Sequence, residues 1–237
     1  MNTKLQSQIL ASVLVFASTL TSLQPAYASS QSGAMSVSTT FANTAVKTDS
    51  LWKIVKSLAN AGKIQEAMNA VDQALQADPK NGTVQAMKAF VMYKSHAKSE
   101  AVLAQINLAL SNTPDNVDAI YLRGLVYEDM NELQKAGRDF DTCIAMDNHN
   151  IDAVNESLKI KFAMKNWSGA VSLLNFYIAN NKVDGTFYYA RAFAEYRLGQ
   201  ISEAINDLKK AESLFIADNQ QEDAKTTAEM IKKLEQA

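Results

Sequence analysis

Residues that carry enzyme chemistry are scarce in this 237-residue chain. It has one cysteine, Cys143, so no intrachain disulfide framework can form and stability has to come from packing. Its two histidines, His96 and His149, have no cysteine or second histidine at zinc-ligand spacing. There is no Gly-rich phosphate loop, no Gly-x-Ser-x-Gly and no His-Glu-x-x-His. An excess of either charge is also missing: 23 Lys and Arg stand against 25 Asp and Glu, for a formal net charge of −2. Without a strongly basic segment, neither nucleic acid nor anionic lipid is an expected partner. The expectation is no catalytic residue, no metal and no cofactor. Cys143 reads as a buried structural thiol, and Asp139 and Asp141 as a solvated helix face.

A membrane-spanning run of roughly 20 apolar residues is absent as well. The apolar stretch from Ile9 to Leu23 is shorter and is broken by Ser18, Thr19, Thr21 and Ser22. With Lys4 before it and Ala26-Tyr27-Ala28 after it, residues 1–28 read as a cleaved secretory signal. Cleavage would remove Lys4, the single charged side chain of that segment, and take the net charge from −2 to −3. No cysteine follows the apolar stretch, which argues against a lipid anchor. Residues 29–47 are rich in Ser, Thr and small residues and read as a flexible leader, with too few large apolar groups to offset the entropy of ordering. The expected location is exported and periplasmic, with secretion or retention at the membrane by an uncleaved signal as alternatives. Asn81, Asn155 and Asn166 match glycosylation acceptors, which matter only in a eukaryotic secretory pathway.

What the chain does have is a period. A small residue returns every 34 or 35 positions, at Ala67, Val102, Ala136, Ala170 and Ala204. A repeat of that length is the signature of a solenoid of stacked helical hairpins. From Asp49, Leu51, Ile54, Val55 and Leu58 fall on one helix face; Gly62 ends that helix; Ile64, Ala67, Val71, Ala74 and Leu75 mark a second. Pro79 closes the pair, and Pro114 stands 35 residues further on, each stopping a helix because proline has no N–H to donate. Five pairs are predicted, at 48–81, 82–116, 117–150, 151–184 and 185–216, with an irregular turn near Ser95 to Ser99. An amphipathic segment at 217–237, with Ala224, Met230, Ile231 and Leu234 on one side, reads as a helix capping the apolar face that a terminal repeat leaves bare.

The last pair carries Tyr188, Tyr189, Arg191, Ala192, Tyr196, Leu198, Gly199, Glu203, Ala204, Leu208 and Ala211, and in this it resembles the tetratricopeptide repeat. The third pair is similar through Tyr121, Arg123, Gly124, Tyr127, Leu133, Ala136, Phe140 and Cys143. In the fourth, Lys161 replaces the expected aromatic, with Phe162 and Trp167 beside it. The resemblance implies an all-α, right-handed superhelical solenoid of about five helical hairpins plus a C-terminal capping helix. It also implies that the first helix of each pair lines a concave groove. Carried over one repeat at a time, the groove positions are Trp52 and Lys56; then Met87, Val91 and Lys94; then Tyr121, Leu125 and Glu128. The fourth repeat supplies Asn155, Lys159 and Phe162, and the fifth Tyr189, Phe193, Tyr196 and Arg197. Tyr, Trp and Arg anchor interfaces because they bury a large area while keeping a polar handle. The competing reading is that these rings pack between repeats.

Some members of the family grip a peptide's terminal carboxylate with lysines and asparagines. Here Trp52 stands where the first of those lysines would be, and the asparagines are absent. The resemblance therefore implies a non-enzymatic scaffold of the bacterial cell envelope that binds a peptide or protein partner. The alternative is a structural module that self-associates through its repeats or its cap helix into a homo-oligomer. Intact-mass measurement of the exported protein should find Ser29 at the N-terminus. Retention of residues 1–28 would assign an uncleaved anchor instead.

Overall fold

The computed structural model describes residues 48–236. The expected signal at 1–28 and leader at 29–47 lie outside the described residues. Eleven helices and no strand are found among the described residues: α1 (Thr48–Asn60), α2 (Ile64–Ala77), α3 (Gly82–Lys94), α4 (Ser99–Asn112), α5 (Val117–Asp129), α6 (Leu133–Met146), α7 (Ile151–Ala163), α8 (Trp167–Asn180), α9 (Gly185–Arg197), α10 (Ile201–Ala217) and α11 (Gln221–Glu235). The fold is all-α, a helical-repeat solenoid. No described helix is long and apolar enough to cross a membrane.

Two pieces of backbone chemistry recur and set the helix boundaries. The first helix of four successive pairs starts under a side-chain cap: Asn81 accepts from the Val84 N–H at 3.1 Å, Asn116 from Ala119 at 2.8 Å, Asn150 from Ala153 at 3.0 Å and Asp184 from Thr186 at 2.9 Å. Each cap satisfies a backbone donor that the first helical turn leaves orphaned. The turn inside every pair is a left-handed stop. Gly62, His96, Asn131, Lys165 and Gly199 all have φ between 54° and 80°, and the residue after each donates back to the carbonyl five positions earlier, as Gln200 does to Glu195 at 3.0 Å. The α3–α4 turn runs from Ser95 to Lys98, one residue longer than the other turns within pairs, and this is the irregularity near Ser95 to Ser99.

The helices fall into two compact units, one ending at Met146 and the other beginning at Asp147. In the first unit Leu51, Val55, Ala67, Val71, Val84, Met87 and Val91 form one buried cluster, and Ala86, Ala89, Val102, Ile106, Ala119, Leu122 and Val126 a second. Gly124 is required at the next contact, because a Cβ there would lie 2.7 Å from the Phe140 ring. In the second unit Tyr189, Ala192, Ala204, Leu208, Ala211 and Phe215 pack with Ala224, Ile231 and Leu234 of α11, so the last helix covers α10.

Two substitutions separate backbone from packing. Gly199→Ala should destabilise by about 1–2 kcal/mol, the cost of a left-handed L-residue, although nothing lies within 4 Å of the added methyl. Ala204, fully buried, should lose roughly 1–3 kcal/mol on replacement by Leu through overpacking. Thermal or urea melts check both.

Candidate functional site

In the first unit, one face is built by α1, α3 and α5. Trp52 stands edge-on to Phe90 with ring centroids 5.2 Å apart and planes at 78°. Lys56, one helical turn beyond Trp52, places its Nζ 4.4 Å from the Trp52 ring centre, and Lys94 does the same to Phe90 at 5.6 Å. Both are cation–π contacts, favourable because the ring face carries partial negative charge. The Trp52 indole N–H donates to Asp118 Oδ2 at 2.7 Å, and Lys56 Nζ donates to Asp118 Oδ1 at 3.1 Å. Tyr121 is half-buried and tilts against Phe140, their ring centroids 5.5 Å apart. Leu125 and Glu128 are half-buried on α5. Met87 and Val91 are fully buried in the core cluster.

In the second unit, three rings from three helices meet. Phe162 of α7, Trp167 of α8 and Phe193 of α9 lie 5.6–6.0 Å apart, and Phe193 meets the other two edge to face. The Arg197 guanidinium lies 4.7 Å from the centre of the Trp167 ring and 6.0 Å from that of Phe193. Phe193 is only 3% exposed and forms the floor, whereas Phe162, Trp167 and Arg197 keep part of their surface in solvent. Tyr189 is 2% exposed and belongs to the core with Leu208 and Phe215. Tyr196 is half-buried and packs against the same cluster. Asn155 Oδ1 is buried without a hydrogen-bond partner, and Lys159 pairs with Glu156.

The structure thus redistributes the groove residues read from the sequence. Trp52, Lys56 and Lys94 come together on one face, and Phe162, Phe193 and Arg197 on another. Met87 and Tyr189 are corrected to core and leave no surface for a partner: Met87 packs with Val91 among the α1 and α2 residues of the preceding pair, and Tyr189 packs on α10 of its own pair. The expected trio Tyr189, Phe193 and Tyr196 does not form one exposed surface. Phe90, Asp118 and the full part played by Trp167 were not legible as site residues: Trp167 lies on a second helix, and Asp118 is 66 residues from Trp52.

Buried charge supports these faces. Arg191 donates twice to Asp207, at 2.6 and 2.8 Å, and once to Asn175 at 2.7 Å, linking α8, α9 and α10. Arg123 makes the same two-pronged bond to Asp139, both at 2.8 Å. Asp139 is 7% exposed and is therefore no part of a solvated face, correcting the sequence reading, while Asp141 is exposed. Burial pushes the Cys143 thiol up to about 12, with the Asp139 and Asp118 charges adding to the effect, so it stays protonated and unreactive. Glu195 is buried, with Oε2 unpartnered and Oε1 3.9 Å from Arg191 Nε. Burial raises its carboxyl to about 7; the charges of Asp207 and Glu203 push the same way, and Arg191 opposes them. Among the described residues, no His, Cys, Asp and Glu group is arranged to hold a metal.

Residues 117–150 match the family model of the tetratricopeptide repeat. No curated protein sequence matches the chain. Among solved structures, the chain is similar to one in the structure of Naa15/Naa10 bound to HypK-THB, at 18% identity and a TM-score of 0.61 over 70% of this chain and 25% of that one. It is also similar to the MamA protein, at 18% identity and a TM-score of 0.58 over 73% of this chain and 94% of the other. A second MamA structure, from AMB-1, aligns at 20% identity and a TM-score of 0.55 over 70% of this chain and 98% of the other. The chain thus spans about a quarter of the matched chain in the Naa15/Naa10 structure. At such identities the likeness establishes the fold.

Glu195 gives the fold a pH dependence. Its carboxyl binds a proton more tightly folded than unfolded, so its contribution is fully present below the ordinary carboxylate value of 4.5 and is lost as pH rises toward about 7. Stability should therefore fall between those limits, by roughly 3 kcal/mol. Glu195→Gln should remove most of that slope and raise the melting temperature at pH 8. Equal slopes for the two proteins in melts from pH 4 to pH 8 would show that Glu195 is not the group responsible.

Proposed function

We propose that this chain, which carries a tetratricopeptide repeat within an all-α solenoid, is a non-enzymatic scaffold of the bacterial cell envelope that binds a peptide or protein partner. Tetratricopeptide-repeat proteins are in general non-enzymatic interaction scaffolds, and the similar chain from the Naa15/Naa10 structure comes from a complex bound to HypK-THB. The observation that carries the reading is the second-unit face, where Arg197 lies over Trp167 above the buried Phe193. An aromatic held in place by its neighbours, with a cation on its open side, buries area at little entropic cost and offers a directional polar contact. Export and a periplasmic location rest on residues 1–28, with secretion or an uncleaved anchor as the alternatives. Wall synthesis, secretion and polymer export are the envelope assemblies that such a scaffold would serve.

A second reading, self-association, is favoured by apolar side chains left open on second helices: Leu108 is 48% exposed, Phe176 45% and Ile216 54%. Light scattering over a concentration series separates the two, with a monomer expected under the first reading and a concentration-dependent dimer under the second.

Affinity capture from the solubilised native envelope tests the binding face directly. Arg197→Ala, a change at a partly exposed position, should leave the melting curve nearly unchanged and weaken capture by about 2 kcal/mol, the size of an interface hot spot. Trp167→Ala should lose the partner as well. Undiminished capture by both variants would move the binding surface off this face.

A further inference from the structure

The first-unit face already holds a carboxylate. Trp52 Nε1 and Lys56 Nζ converge on the two oxygens of Asp118, at 2.7 and 3.1 Å, so an indole N–H and an ammonium together form a two-point receptor for an acidic group. The receptor sits at the edge of an aromatic pair, Trp52 and Phe90, with a lysine over each ring. Among the described residues Lys94 has no ion-pair partner, so the patch keeps a cation beyond the one that Asp118 neutralises. Lys56 and Asp118 are both nearly half exposed, with side-chain accessibilities of 45% and 46%. An exposed pair of this kind contributes little to stability, since water screens it and two mobile side chains are immobilised to form it. Asp118 is also an acidic residue of the first turn of α5. Released from Lys56, it would remain beside the partial positive charge of the helix N-terminus, where a carboxylate is favoured. Its hold on the receptor is thus easily exchanged.

We infer that the Trp52–Lys56 pair, with Phe90 and Lys94 beside it, is a docking site for an acidic segment of a partner protein, and that Asp118 is an internal stand-in which a partner's Asp or Glu carboxylate displaces. The inference rests on the scaffold reading and gives it a partner chemistry: a segment rich in Glu or Asp, whose charge complements the two lysines and whose methylene groups cover the two rings. Removing the stand-in should strengthen such binding, because the two donors are then open from the start.

The test uses the mature full-length chain and two labelled peptides, one Glu-rich and one of the same length with Gln at those positions, read by fluorescence anisotropy at low salt. Asp118→Ala should tighten binding of the Glu-rich peptide by about threefold to fivefold and leave the Gln-rich peptide unchanged. Lys56→Gln in the Asp118→Ala background should reverse the gain. In a nitrogen-15 spectrum the Trp52 indole resonance should move on Asp118→Ala and return toward its original position as the Glu-rich peptide is added. No gain for the Glu-rich peptide in Asp118→Ala, or an equal gain for the Gln-rich one, would overturn the inference. The scaffold reading is judged separately, by native-partner capture through Arg197 on the other unit.

Discussion

The structure depends on how closely its helices approach at one small side chain per repeat. Ala67, Val102, Ala136, Ala170 and Ala204 are at most 1% exposed, and each lets a second helix press against its neighbours without a large side chain holding them apart. A helical hairpin cannot bury its own apolar face, so cohesion in such an array comes from each element against the next. Phe140 closing over Gly124 in the first unit shows how little room is left. The aromatic faces follow from the same closeness, because rings on successive first helices touch only when the helices beneath them are near. Trp52 against Phe90 and Phe162 against Phe193 are both contacts of that kind.

Two units that share no side chains arrive at the same surface chemistry. In one, a lysine lies over a tryptophan whose ring is braced by a phenylalanine. In the other, an arginine lies over a tryptophan braced by two. Lysine is a mobile point charge and arginine a planar, forked donor, so the cation of the first face can adjust its direction whereas that of the second is fixed in its plane. Behind these faces the buried charges do a different task. Asp139 and Asp207 are each satisfied by a two-pronged arginine bond, whereas Glu195 lacks that satisfaction and carries a raised carboxyl instead.

The period was legible because it is written in residues that packing cannot vary: the small side chains had to recur if the hairpins were to stack. The capping period is equally present in Asn81, Asn116, Asn150 and Asp184, but Asn and Asp are common in turns of every kind, so their recurrence does not stand out, and a glycosylation acceptor pattern also fits Asn81 and Asn166. Both are in fact helix caps. Of the left-handed turns, those at Gly62 and Gly199 show most plainly in the sequence; Asn131 and His96 are weaker signals of the same conformation, and Lys165 adopts it with no signal at all. The site was less readable than the fold. A repeat template fixes which helix face a residue occupies but not what covers that face: Met87 and Tyr189 match groove positions yet lie in the core, the first covered by the preceding pair and the second by α10 of its own. Asp139 looked solvated because its partner, Arg123, lies 16 residues upstream on another helix. Asp118 meets Trp52 across two repeats, a distance that no local pattern encodes.

The Arg191 tie has a kinetic consequence. One guanidinium joins α8, α9 and α10 through three short bonds, and α8 and α9 carry Trp167, Phe193 and Arg197 of the second-unit face. A partner docking on this face as proposed would meet helices that are already tied, so encounter would need no conformational gate. Its arrival rate would then be set by diffusion and by the local electrostatic field, and discrimination among partners would fall to how fast each one leaves.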